Sequence, residues 1–311
     1  MSDEVEKILA GDQRAGALLI RRLEEDDPRG LAALKLLYPH TGRAFVLGVT
    51  GPAGAGKSTL VDRIIGALRS RNMRVGVIAI DPSSAFTGGA VLGDRIRMQR
   101  HAVDQGVFIR SMATRGRVGG LSKSTSETAL VLDAMGYDLI IVETVGVGQD
   151  EIEVVDLAHT TVVISLPGMG DDIQAIKAGI LEIGDIFVVN KADRPGADDV
   201  VKQLEAMLQM RAAGGADWRP PVLRTVAATG EGIAELVDAC FAHRTHLAES
   251  TRLAERALKR AVRHFEDVVK QLAFEKVLTS AKQDGALPEK LRARQIDPYS
   301  AAEELVGRLD L

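Results

Sequence analysis

From residue 44 onward, short apolar runs alternate with stretches of helical periodicity. The runs are AFVLGVT, VGVIAI, VFIRSM, DLIIVE, TTVVISL, IFVVN and VLRTVAA. Each is too short for a core helix and rich in β-branched residues, which favours strand. Between most of them lie amphipathic segments such as STLVDRIIGALRSR and ADDVVKQLEAMLQM. Strand alternating with helix predicts an α/β fold built on a mostly parallel sheet, covered on both faces.

The two ends read differently. Over the first 40 residues the pattern is one of short helices. Asp27-Pro28 has the form of an N-cap followed by proline at the first helical position, and Pro39 stops the run GLAALKLLY. Beyond about residue 232 the strands cease. Thr251 to Gln283 keeps one helical apolar stripe through Leu258, Val262, Phe265, Val269 and Leu272. At 1.5 Å per residue that helix would run roughly 50 Å, longer than a sheet domain needs to cover one face. A monomer rarely tolerates so long an exposed stripe, so pairing with a second copy about a two-fold axis is expected, the alternative being that the helix folds back on its own sheet domain. Asp297-Pro298 marks another helix start. The expected division is residues 1–42 as an N-terminal helical segment, 43–248 as the α/β domain and 249–311 as a C-terminal helical arm.

Composition narrows the classes. The 311 residues carry 39 basic and 43 acidic side chains, a net charge of −4, which argues against a broad nucleic-acid or acidic-membrane surface. Cys240 is the single cysteine, so no intrachain disulfide forms and a reducing compartment fits. MSDEVEKILAG lacks the basic start and apolar core of a signal peptide, and no apolar run approaches the ~20 residues of a membrane span. A cytoplasmic location is the expectation.

The chemistry concentrates at strand ends. GPAGAGKST, spanning Gly51, Pro52, Ala53, Gly54, Ala55, Gly56, Lys57, Ser58 and Thr59, satisfies G-x-x-x-x-G-K-[ST] between a predicted strand and a predicted helix. Such a loop aims several N–H groups at one anion, and the helix start adds a favourable dipole. Lys57 is expected at the β- and γ-phosphates of a nucleotide and Ser58 on Mg²⁺. NKAD, with Asn190, Lys191 and Asp193 at a later strand end, resembles the guanine box of GTPases. A carboxylate at Asp193 can accept from guanine N1 and the exocyclic amine, a donor pair adenine lacks. Asn190 should support the loop, while the Lys191 stem can lie along the ring. Ala227, Ala228 and Thr229 occupy the place of the last base-contacting loop.

Metal and switch candidates lie between these motifs. Asp81 ends the run VIAID, within reach of Mg²⁺ directly or through water. Glu143 ends a very apolar strand with Gly146 three residues later, as in the D-x-x-G element that senses a γ-phosphate, glutamate standing for aspartate. A carboxylate there is an ion ligand or a helix cap, and metal or water ligation is the favoured reading. Asp94, in a glycine-rich segment, reads equally as a first-switch ligand or as a solvated loop acid. Gln149 follows Gly146 by three, which makes it a candidate for orienting water. His243 and His246 form the one close histidine pair and read as surface side chains, not as nickel or zinc ligands. A kinase reading conflicts with the guanine box, whereas a docking protein that merely changes shape with nucleotide stays open.

Together GPAGAGKST, AIDPSS, GDRIRM, VETVGVGQDE, GMGDDIQAIKAGI, NKAD and the helical extensions resemble the MeaB/ArgK-type GTPases, bacterial counterparts of the human methylmalonic aciduria type A protein. The resemblance covers nearly the whole chain. It implies GTP and GDP with Mg²⁺, and a role in loading and protecting adenosylcobalamin in methylmalonyl-CoA mutase or a sister mutase. It also implies homodimers formed through the C-terminal arm. By the same resemblance Asp171 and Lys177 fall in a third switch that couples nucleotide to partner; a helix start and a solvated helix face are their plain alternatives.

Overall fold

The computed structural model describes residues 2–81, 99–101, 103–113, 120–144, 157–168, 184–212, 217–283 and 285–307. In chain order its elements are α1 (Ser2–Leu9), α2 (Gln13–Glu24), α3 (Pro28–Leu37), β1 (Phe45–Thr50), α4 (Lys57–Ser70), β2 (Val75–Asp81), β3 (Val107–Ala113), α5 (Gly120–Ala134), β4 (Leu139–Glu143), β5 (Thr160–Ser165), β6 (Ile186–Asn190), α6 (Ala197–Ala212), β7 (Val222–Thr225), α7 (Ile233–Glu249), α8 (Arg252–Gln283), α9 (Leu287–Arg292) and α10 (Pro298–Gly307). The chain divides into two compact units, Met1–Ala257 and Leu258–Leu311.

In the first unit the seven apolar runs are all strands of one sheet, in the order β3-β2-β4-β1-β5-β6-β7, and every pairing is parallel. The chain leaves β1 toward β2, β3 and β4 on one side and returns to β5, β6 and β7 on the other. Such a switch point opens a crevice at the carboxyl ends of the strands.

Strand alternation explains why both faces had to be apolar. Phe45, Leu47 and Val49 of β1, with Val75, Val77, Leu139, Ile141, Val162, Ile164, Ile186 and Val188, join a core with α4 and α7. The intervening Val46, Ile78, Ile80, Ile140 and Val142 join another core, with α1, α2, α3 and α5. Beyond β5 that second face is taken over by α6, where Val163, Phe187 and Val189 meet Val200, Leu204 and Leu208. Each fully buried Leu, Ile or Val contributes about 1.5–3 kcal/mol, so the sheet's two faces outweigh any single polar contact in the unit.

The N-terminal helices are fastened by local chemistry. Asp27 accepts from Arg29 N at 2.9 Å, with Pro28 in the first turn of α3. The segment entering β1 is held by Asp133 of α5, whose carboxylate accepts the N–H groups of Gly42, Arg43 and Ala44 at 2.5, 3.2 and 3.0 Å. Three consecutive amides on one carboxylate fix where the helical layer hands over to the sheet.

The expected surface position of His243 is corrected. His243 is 1% exposed: its Nδ1 lies 2.8 Å from Thr160 Oγ1 and its Nε2 lies 3.4 Å from Asp185 Oδ1. It shares the inward stripe of α7 with Leu236, Cys240 and Leu247. Burial lowers the imidazole to about 4 and raises the Cys240 thiol to about 12. The Cys240 thiol therefore stays protonated at neutral pH, and both ring nitrogens of the neutral His243 face groups within the protein.

In the second unit, α8 presents Leu258, Val262, Phe265, Val269 and Leu272 as exposed side chains. Thr251, in the left-handed region at φ 58°, separates α7 from α8, so the helix starts at Arg252. Asp297 caps α10 by accepting from Tyr299 N at 2.9 Å and Ser300 N at 3.0 Å.

A buried acid in α5 gives a test of this packing. Glu127 is 2% exposed, its Oε2 has no hydrogen-bond partner among the described residues, and Lys123 Nζ is 3.8 Å from Oε1. Burial raises its carboxyl from 4.5 to about 7, with Lys123 pulling the other way and Asp26 adding to the rise. Between those values the folded chain holds a proton that the unfolded chain has released. Stability therefore falls as pH rises through that window and stays lower above it. Glu127→Gln should raise the thermal midpoint at pH 8, a gain on the order of 2–3 kcal/mol, and lose that advantage near pH 4.5. An equal difference at both pH values in thermal denaturation would show that Glu127 does not titrate this way.

Candidate nucleotide-binding site

The loop between β1 and α4 is shaped by what its glycines must avoid. Gly51 has φ +149°, and a Cβ there would lie 2.4 Å from Ile164 O. Gly56 has φ +87°, and a Cβ there would lie 2.6 Å from Asn190 Nδ2. Only glycine fits both places. Lys57, 7% exposed, curls its ammonium back onto the loop and donates to Gly51 O at 2.8 Å and Pro52 O at 3.0 Å. A buried cation ringed by loop carbonyls, at the start of a helix, suits a polyphosphate.

Beside this cradle the sheet delivers a carboxylate. Glu143 ends β4 and stands in register between Val49 of β1 and Ala79 of β2. It is 3% exposed, and Ser58 Oγ donates to its Oε1 at 2.7 Å. Next to it Thr144 Oγ1 donates to Thr50 Oγ1 at 3.0 Å. Hard oxygen donors of this kind fit Mg²⁺. Asp81 closes β2, two residues past the position beside Glu143, and only its backbone is described. Asp94, Gln149, Asp171 and Lys177 lie outside the described residues. Among the described residues no three His, Cys, Asp or Glu side chains converge on a metal position.

The base side is joined to the phosphate side through Asn190. Its Nδ2 donates to Ala55 O at 2.8 Å, and its Oδ1 accepts from Thr225 Oγ1 and Ala227 N, both at 3.1 Å. Lys191, at φ 56°, donates to Gly54 O at 2.8 Å. Asp193 is exposed on the same turn. Thr229 Oγ1 donates to Val226 O at 3.1 Å, closing the loop that carries Ala227 and Ala228. The structure thus brings Gly51 to Thr59, Glu143, Asn190 to Asp193 and Ala227 to Thr229 to one edge of the sheet. Arg63 of α4 went unnoticed in the sequence although it donates Nε to Ala227 O at 2.9 Å. Nothing local marks it, because its partner lies 164 residues away in the chain.

A family model described as "Methylmalonyl Co-A mutase-associated GTPase MeaB" matches residues 17–284. The chain belongs to the MeaB family. As a member it is a P-loop GTPase that binds guanine nucleotide, and the kinase reading falls away. A Pyrococcus abyssi protein, named a GTPase by inference only, is 50% identical over 315 residues, 99% of this chain and 97% of that one. The mouse mitochondrial methylmalonic aciduria type A homolog is 37% identical over 223 residues, 71% of this chain and 53% of its own length. The crystal structure of a LAO/AO transport system kinase superimposes with a TM-score of 0.74 at 26% identity, covering 98% of this chain and 95% of that one. Among the described residues of this MeaB family member, no helix is long and apolar enough to cross a membrane.

The exposed turn carrying Asp193 gives the sharpest test of base choice. Asp193→Asn places an amide donor where xanthine offers a carbonyl. GDP affinity should fall at least tenfold, about 1.4 kcal/mol, and xanthosine diphosphate should become the preferred ligand in calorimetry. Unchanged GDP affinity in the variant would remove Asp193 from base recognition.

Proposed function

We propose that this GTPase is a nucleotide-switched chaperone that governs cofactor loading and protection of an adenosylcobalamin-dependent acyl-CoA mutase, methylmalonyl-CoA mutase or a sister enzyme. The observation that carries the reading is the family match over residues 17–284, which spans every nucleotide motif and the whole of α8. The name of the mouse relative supports the same partner class.

In this proposal Lys57 leaves its loop carbonyls to neutralise the β- and γ-phosphates of GTP. Ser58 and Glu143, with Asp81 and Asp94, hold Mg²⁺. When bound, the metal supplies charge neutralisation on the phosphate oxygens. Glu143 and Gln149 are our candidates for ordering the attacking water. Asp193 and the Ala227–Thr229 loop read the base. Asp171 and Lys177 pass the state of the γ-phosphate to the mutase. The pairing surface is α8: Leu258, Phe265 and Leu272 are each more than half exposed in the single chain, and a two-fold partner would bury them twice over.

Two experiments follow. GTP turnover should rise severalfold when the mutase is added, and Lys177→Ala should abolish the rise while GDP affinity stays within about twofold of wild type, a change below 0.5 kcal/mol. No stimulation of the wild type would sink the partner assignment. Light scattering at micromolar concentration should report a dimer, and Phe265→Asp with Val269→Asp should convert it to a folded monomer. A monomeric wild type would refute pairing through α8.

A further inference from the structure

Arg63 stands on the second turn of α4, one face of which carries the phosphate loop's Lys57 and Ser58. Its guanidinium donates Nε to Ala227 O at 2.9 Å and Nη2 to Ala228 O. Two consecutive peptides of the base loop are therefore gripped by one planar fork, a geometry that lysine's single point charge does not reproduce. The described residues contain no cis peptide, and in a trans peptide the C=O and N–H point in opposite directions. Holding the Ala227 carbonyl toward α4 turns the N–H of Ala228 to the far side of the loop.

The neighbouring amides are engaged within the protein. Ala227 N donates to Asn190 Oδ1 at 3.1 Å, and Thr229 N donates to Val226 O at 3.0 Å. The direction of the Ala228 amide is thus the one that Arg63 sets. A cation on the carbonyl side also draws electron density from the peptide, which strengthens the N–H as a donor. Asp62, the adjacent carboxylate, does not compete for Arg63. It is taken up by Arg100 Nε at 2.6 Å and by His101 Nε2 at 3.0 Å.

We propose that Arg63 is a positioning residue for base discrimination, aiming the Ala228 N–H at the 6-carbonyl of guanine, which adenine replaces with an amine. Recognition is then divided: Asp193 reads N1–H and the 2-amine from one loop, and Ala228 reads the 6-position from the other. The inference rests on the guanine reading of those loops. Arg63 also borders an open surface cavity of about 470 Å³, with Ala67, Arg100 and Gly230 on its rim, so substitution there leaves the sheet's cores untouched.

The test measures dissociation constants of four diphosphates, ADP among them, on wild type, Arg63→Met and Arg63→Lys. GDP is the reference. 6-Thioguanosine diphosphate keeps N1–H and the 2-amine but offers a poor acceptor at position 6, whereas inosine diphosphate keeps the 6-carbonyl and lacks the 2-amine. Arg63→Met should weaken GDP about tenfold, the loss expected for one well-placed hydrogen bond. Its preference for GDP over the thio analogue should shrink toward unity while its preference for GDP over inosine diphosphate holds. Arg63→Lys, able to reach one carbonyl, should fall between. A thio preference unchanged in Arg63→Met overturns the proposal, and so does an equal collapse of both preferences, which would mean a loop merely loosened. A wild type that does not prefer GDP to ADP fails earlier and overturns the guanine reading itself.

Discussion

The carboxamide of Asn190 is 2% exposed at the end of β6, and each of its polar atoms is spent on a different part of the site. Nδ2 holds the Ala55 carbonyl of the phosphate loop, and Oδ1 holds the Ala227 amide and the Thr225 hydroxyl of the base loop. Leaving any of these buried groups unpaired would cost about 1–3 kcal/mol. The two loops are therefore tied to each other through one side chain before any ligand arrives. The same side chain dictates a residue in its neighbour: Gly56 cannot carry a Cβ because Asn190 Nδ2 fills that space. A tie of this kind reduces the ordering that binding must otherwise supply.

That joint works because of strand order. β6 lies two strands from β1, with β5 between them, so an asparagine at its carboxyl end is close enough to reach the loop that β1 feeds. On the opposite flank of β1 the adjacent strand β4 ends in Glu143, within 2.7 Å of Ser58 Oγ. The phosphate loop is gripped from both sides, by an amide and by a carboxylate. Both grips come from strand ends whose register is set by cores that are apolar on each face. A one-residue slip of β4 would turn Glu143 to the opposite face, and a slip of β6 would do the same to Asn190, each losing its grip on the loop.

The parts legible in the sequence are those governed by short-range rules. Seven apolar runs became seven parallel strands because a sheet buried on both faces needs continuous apolar residues. Gly51, Gly56 and Lys57 were legible because backbone sterics leave so few alternatives. The guanine box was readable, including a supporting role for Asn190, but the partner it reaches was not: Asn190 acts across 135 residues on Ala55. Asp133 was invisible for the same reason, its partners lying 89 to 91 residues earlier. His243 is a different failure. It sits three residues past Cys240 and four before Leu247, on the buried stripe of α7, so the helical period already pointed inward. The polarity of the side chain was weighed above its position.

The environment of His243 shows why a polar side chain was acceptable there. Asp185, just before β6, accepts from Thr161 N at 2.9 Å and from Arg256 at 3.0 and 3.2 Å, and its own carbonyl accepts Trp218 Nε1 at 2.8 Å. The carboxylate is already matched by one guanidinium. Charging the imidazole as well would bring a second cation into the same buried pocket, and burial together with Arg256 holds its pKa near 4 despite the pull of Asp185. A neutral ring against Thr160 Oγ1, with Trp218 tilted at 4.7 Å from its centroid, satisfies the space without that penalty. The amino ends of β5 and β6 are thus closed by a matched ion pair and a neutral histidine. The carboxyl ends of β1 and β4 instead lead to Lys57 and Glu143, whose partners are loop carbonyls and the Ser58 hydroxyl, groups that a bound nucleotide can replace. The sheet is polarised in chemistry as well as in direction, and the reactive end is the one whose charges are held by groups that can be exchanged.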